Sequence, residues 1–133
     1  MELKYYVNLV LGIIGGFLVT AYGEGSNIIE ILIYMMIFDY VTGVMAGAFK
    51  KELSSEVGFK GLLKKAFILI ICAVAHKIDI VMNSGGIIVN ATIIFYICNE
   101  ALSIVENGIK MGLPIPEKLK AAIKALKEDP DES

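Results

Sequence analysis

Four long apolar stretches, Tyr5 to Tyr22, Ile28 to Phe49, Ala66 to Met82 and Ile87 to Val105, follow one another along the 133 residues, and almost every basic side chain falls between or beyond them. Each is close to the ~20 residues that a helix rising ~1.5 Å per residue needs to cross a hydrocarbon core ~30 Å thick. Hydrophobic residues make up 56% of the chain and charged ones 20%, with a mean hydropathy of +0.71. A water-soluble domain of this size would lack the polar surface to cover so much apolar material. The expectation is an all-α polytopic membrane protein. Residues 1–112 form a domain of four transmembrane helices, and residues 113–133 a short cytoplasmic amphipathic helix with an acidic tail.

All 12 basic residues are lysines. Lys4 precedes the first band, Lys50, Lys51, Lys60, Lys64 and Lys65 fill the central connector, and Lys110, Lys118, Lys120, Lys124 and Lys127 follow the fourth band. The connectors 23–27 and 83–86 have none. Short lysine-rich loops stay on the cytoplasmic side, so both termini and residues 50–65 are expected in the cytoplasm and the two short turns outside. The first band could instead be a signal peptide, but its apolar run is long and lacks an A-x-A-like site before Gly23. The third band is the least regular. Only Ala66 to Ala75 is free of strongly polar groups, which leaves a re-entrant segment as the alternative to a full crossing that includes His76, Lys77 and Asp79.

Polar groups inside the bands are the candidate sites. Asp39 lies at the middle of the second band, where a lone charge costs at least ~3 kcal/mol on an insertion scale, so it must face protein or water. Placing the third band's centre near Lys77's depth suggests an Asp39–Lys77 ion pair, with Asp79 or Glu100 as competing partners for the lysine. Thr92, Asn99, Ser103 and Glu106 fall on one helical stripe of the fourth band, and Glu100 adds an acid beside it. Gly12-x3-Gly16 and Gly43-x3-Gly47, with Ala46 on the Gly43 side, are small-residue patterns that let helices approach closely, within one chain or between chains. His76 with Asp79 could hold a metal, but a local hydrogen-bonded pair is the simpler reading. Cys72 and Cys98 read as buried free thiols.

In the connectors, residues 54–65 mix apolar and basic side chains as an interfacial segment attracted to anionic lipid would. Pro114 and Pro116 end the fourth helix and start a new one, where Leu119, Ala122, Ile123 and Leu126 form the apolar face of a helix suited to lying on the membrane. One histidine, no Ser/His/Asp arrangement in a recognisable context, no phosphate-binding glycine loop and no Cys/His ligand spacing point away from an enzyme. No cofactor, metal or nucleic-acid partner is expected.

Asp39-Tyr40-Val41-Thr42-Gly43, Leu53-Ser54-Ser55, Gly58-Phe59-Lys60-Gly61-Leu62 with Lys64-Lys65, Ala75-His76 with Asp79, Asn99-Glu100-Ala101-Leu102-Ser103-Ile104 with Glu106-Asn107, and Gly112-Leu113-Pro114-Ile115-Pro116 with Leu119 occur in that order. In these pieces the chain resembles the phage lysis and toxin-secretion holins of Gram-positive systems. The resemblance implies a protein of the bacterial cytoplasmic membrane that self-associates and opens lesions, through which a cell-wall hydrolase (endolysin) or a large toxin leaves as cargo. Its partners would be the lipid bilayer and further copies of itself, since four helices are too few to enclose a wide channel. The Asp39-Gly43-Ala46 face is the expected oligomer seam. An antiholin-like regulator would carry the same residues. The competing classes are a small ion or proton pathway, using Asp39, Lys77, Asp79 and Glu100 as a relay, and a passive membrane anchor.

Overall fold

The computed structural model describes residues 2–23 and 27–127. They form five helices: α1 (Glu2–Tyr22), α2 (Asn27–Lys50), α3 (Ser55–Met82), α4 (Ile87–Lys110) and α5 (Glu117–Lys127). The acidic tail expected after Lys127 lies outside the described residues. α1, α2 and α4 are each long and apolar enough to cross a membrane. α3 has the length but carries Glu56, Lys60, Lys64, Lys65, Lys77 and Asp79, and does not meet the same standard of apolarity.

α3 departs from its apolar band in a way that matters for the site. The band begins at Ala66, whereas the helix begins 11 residues earlier, at Ser55. Ser54 adopts an extended conformation and its Oγ accepts the Val57 N–H, satisfying one of the donors that a helix start leaves free. The basic connector is therefore largely the first three turns of α3, and no break or reversal interrupts the helix before Met82.

The turn from α3 to α4 is built around Asp79. Asn83 ends α3 in the left-handed conformation that asparagine tolerates, at φ 53°. Gly86, at φ 91°, precedes α4 and offers no side chain to cap it. The missing cap comes from across the turn. The Asp79 carboxylate accepts the N–H groups of Ile88 (3.0 Å) and Val89 (2.7 Å) and the Ser84 hydroxyl. A carboxylate at a helix N-terminus also meets the positive end of the helix dipole. At the other end of α4, Gly112 turns the chain at φ 80°, and the Pro116 carbonyl accepts the Leu119 and Lys120 N–H groups to open α5, one residue later than the sequence suggests. α5 folds back on α4 and buries Ile123.

The closest helix pair is not sequential. α2 packs along α4, α3 packs against α4 and less extensively against α2, and α1 rests chiefly on α3. Leu32, Met36, Cys72, Ala75, Val89 and Ile93 form the apolar core, joined by Ala21 and Tyr22 at the end of α1. This core occupies the half of the bundle that carries the α1–α2 and α3–α4 turns, called here the turn half. The other half, the lysine half, carries the α2–α3 and α4–α5 connections. Outside, the surface is studded with exposed Leu, Ile, Val and Phe side chains, among them Leu11, Ile13, Phe17, Phe38, Phe67, Ile70 and Phe95. Contiguous apolar surface on this scale is suited to lipid and not to water.

Candidate functional site: one lysine between two carboxylates

Where the apolar core stops, a polar cluster begins. Asp39 of α2, Lys65 of α3 and Glu100 of α4 converge in the lysine half. The Lys65 ammonium lies 2.7 Å from Asp39 Oδ2 and 2.7 Å from Glu100 Oε2. The three side chains are only 15%, 13% and 7% exposed in the order Lys65, Asp39, Glu100. Asn107, one further face-repeat along α4 from Glu100, completes the cluster. Its amide donates to Asp39 Oδ1 (3.0 Å), to the Asp39 carbonyl (3.2 Å) and to Thr42 Oγ1 (2.9 Å). Thr42 in turn donates to the Phe38 carbonyl at 2.7 Å.

Helix register explains why these groups meet. Asp39 is 11 residues from the end of α2 at Lys50, Glu100 is ten from the end of α4 at Lys110, and Lys65 is ten from the start of α3 at Ser55. At ~1.5 Å per residue all three lie ~15–17 Å into the bundle from the same end. Gly43 faces the α4 side of the cluster, where a Cβ would stand in ordinary van der Waals contact, 3.7 Å from Asn107 Nδ2. Charge-assisted hydrogen bonds of this kind are about twice as strong as neutral ones. Removing the ammonium would leave two carboxylates facing each other in a low dielectric.

The expected Asp39–Lys77 pair is corrected by this geometry. Lys77 is 12 residues further along α3 than Lys65, ~18 Å by helical rise. It turns instead to α1, donating to the Thr20 carbonyl at 2.9 Å. The expectation went wrong by centring α3 on its apolar band, when the capped helix extends well below it.

The remaining sequence candidates separate. Asp79 is occupied as the α4 cap, and its oxygens face Ser84 and two backbone N–H groups, not a ligand site. His76 packs against Gly23, whose φ of 91° and lack of Cβ allow the imidazole to approach; a Cβ there would lie 3.1 Å from its Cε1. The stripe of Thr92, Asn99, Ser103 and Glu106 does not gather into one site: Ser103 lies beside Asp39 at the cluster, Thr92 bonds back to the Ile88 carbonyl, Asn99 is half-buried, and Glu106 is exposed. Gly43 and Ala46 face the interior of the chain, and Gly47 lies against Leu53. Within the chain, the Asp39-Gly43 part of this face packs on α4 through Asn107, and Ala46 is buried. A Cβ at Gly12 or Gly16 would meet nothing within 4 Å beyond its own helix among the described residues. Cys72 and Cys98 are buried free thiols.

Lys65 and Asn107 are the two cluster members that sequence reasoning did not select. Both carried a usable signal. Lys65 lies at Asp39's depth once α3 is counted from its Ser54 cap, and Asn107 follows Glu100 by seven residues on the same face.

A helical bundle with an internal charge cluster and an apolar exterior is the architecture of a membrane protein. Comparison with known proteins is more specific. The bacteriophage holin family profile matches residues 16–128. An uncharacterised Listeria innocua protein is 41% identical over 117 residues, covering 86% of this chain and 84% of its own length. A 14.9 kDa Clostridium perfringens protein is 43% identical over 100 residues, 74% of this chain and 75% of its own. A probable holin of Bacillus phage phi105 is 33% identical over 104 residues, 78% and 77% of the two chains. No solved structure matches. The chain belongs to the bacteriophage holin family.

Proposed function

We propose that this protein is a holin that crosses the cytoplasmic membrane four times, self-associates there, and opens lesions that release a cell-wall hydrolase or a large toxin. The family match over residues 16–128 carries the reading, and the probable phage holin among its relatives supports it. The buried cluster adds a physical reason for the fourth crossing. α3 is too charged to cross alone, but Lys65 is matched inside the chain by Asp39 and Glu100, and Asp79 by Ser84 and the start of α4. Those matches remove much of the cost of placing the helix in lipid. Both termini and the start of α3 would face the cytoplasm, on the side where all the lysines but Lys77 lie.

The same cluster argues for passage between copies. Asp39, Lys65, Glu100 and Asn107 bond to one another and so are not spent on lining water within one chain, and a wide lesion would need several chains. An ion relay through Asp39, Lys77, Asp79 and Glu100 loses support, because Lys77 and Asp79 bond locally in the turn half. Regulated expression in a bacterium beside a cytoplasmic hydrolase tests the reading. Abrupt release of the hydrolase is expected. Collapse of an ion gradient with the hydrolase retained would favour an ion pathway, and mere delay of another holin's lysis would favour a regulator. Single cysteines test the orientation: one at Ser84 should react with an impermeant thiol reagent from outside, and one at Ser55 should not react before lysis.

A further inference from the structure

At the turn-half end of α1, a groove of about 610 Å³ opens between α1 and α3. Its walls are apolar, with Phe17 and Leu18 on one side and Ile70, Val74 and Ile78 on the other. One cation breaks the pattern, Lys77, which also lines the groove. We infer that this groove is a binding site for one anionic phospholipid, its acyl chain lying between α1 and α3 and its phosphate on the Lys77 ammonium.

Three observations favour that occupant. The first is length. Along α3 the groove runs from Leu69 to Val81, ~18 Å, and along α1 only from Phe17 to Tyr22, ~8 Å, so it extends over about half of a ~30 Å hydrocarbon core. That is the depth of a single leaflet, suited to an acyl chain, whereas a transmembrane helix of a second copy would need a seam running the whole thickness. The second is the level of the charge. Lys77 donates to the Thr20 carbonyl, two residues from the end of α1, so its ammonium is held near the membrane surface, where lipid phosphates lie. The third is hydrogen-bonding capacity. An ammonium has three N–H donors, and among the described residues only the Thr20 carbonyl accepts from it. The other lysines that could draw an anionic headgroup lie toward the opposite end or, like Lys65, are already paired. The inference rests on α1 and α3 lying in the bilayer and does not depend on lesion formation.

The full chain, purified in a mild detergent, can be titrated with phosphatidylglycerol and with phosphatidylcholine of the same acyl chains, with bound lipid read by native mass spectrometry. Phosphatidylglycerol should bind about tenfold more tightly: both lipids offer Lys77 a phosphate, but the choline cation of phosphatidylcholine offsets that charge and repels the ammonium. Lys77→Gln should bring the two lipids level, Lys77→Arg should keep the preference, and Ile70→Trp should weaken both by narrowing the groove. Equal binding of the two lipids to the unaltered protein, or a preference that survives Lys77→Gln, would overturn the inference. If Lys77→Gln does not fold, unaltered affinity in Ile70→Trp is enough to reject the site. Cross-linking of an Ile70→Cys chain to a second copy through that cysteine would show a protein occupant and also reject it. These readouts are independent of hydrolase release, so the lipid site and the holin reading can fail separately.

Discussion

The turn half and the lysine half of the bundle are fastened by different physics. In the turn half, Leu32, Cys72 and Ile93 are fully buried, and packing holds the helices together. In the lysine half, the same three helices meet through Lys65, Asp39, Glu100 and Asn107. The contrast matters more in lipid than it would in water. Lipid tails are as apolar as leucine, so burying Leu32 against Ile93 gains shape-dependent contact but little hydrophobic free energy. An unmatched charge, by comparison, has no good alternative to its partner. The apolar half can tolerate repacking, while the polar half specifies which helix sits beside which and at what depth.

The largest effect is expected from breaking the polar half. Lys65→Met leaves two buried carboxylates without their cation and should cost about 3–5 kcal/mol, seen as loss of folded protein from the membrane and a lower unfolding midpoint in micelles. Adding Asp39→Asn and Glu100→Gln to that variant should recover part of the loss. A Lys65→Met protein as stable as the original would mean that the cluster does not hold the helices. Ile93→Ala, made in the apolar half, is expected to cost less, about 2 kcal/mol, at the low end of the range for core truncations because the transfer contribution is small in lipid. If it proves the more damaging of the two, the contrast between halves is wrong.

Gly43→Leu probes the boundary where α4 brings Asn107 against α2. Overpacking there should cost about 1–3 kcal/mol and should appear in the unfolding of dilute, unassociated protein, since the seam lies within the chain. A loss confined to association between copies would instead return Gly43 to an intermolecular interface. Asp79→Ala removes the α4 cap and should cost about 1 kcal/mol, with faster amide exchange at Ile88 and Val89 and little change near Lys65. The smallest change belongs to Lys60→Ala. Its partner is Glu56, and the two side chains are 66% and 77% exposed, so stability should stay within about 0.5 kcal/mol.

Much of the architecture was legible in the sequence because its causes are local. The apolar runs placed α1, α2 and α4 to within a few residues at most ends, and Pro114, Pro116 and the 3–4 spacing of Leu119, Ala122, Ile123 and Leu126 anticipated α5. Asp39 and Glu100 stood out because any ionised group inside an apolar run demands a partner. The family was visible in ordered short pieces, each carried by adjacent residues.

Which groups satisfy those demands was decided only by the fold. The partner of Asp39 depends on how far α3 extends below its apolar band, on which helix packs against α2, and on which side each helix faces. The Ser54 cap starts α3 at Ser55 and brings Lys65 to Asp39's depth. The non-sequential pairing of α2 with α4 supplies Glu100 and Asn107. Asp79 likewise reads as a local partner of His76 or Lys77, and the α3–α4 turn sets it instead on the N–H groups of Ile88 and Val89. Hydropathy measures what each segment prefers to be surrounded by, and it is blind to rotation and depth; a lysine and a carboxylate 26 residues apart become partners only when two independent helix starts bring them to one level.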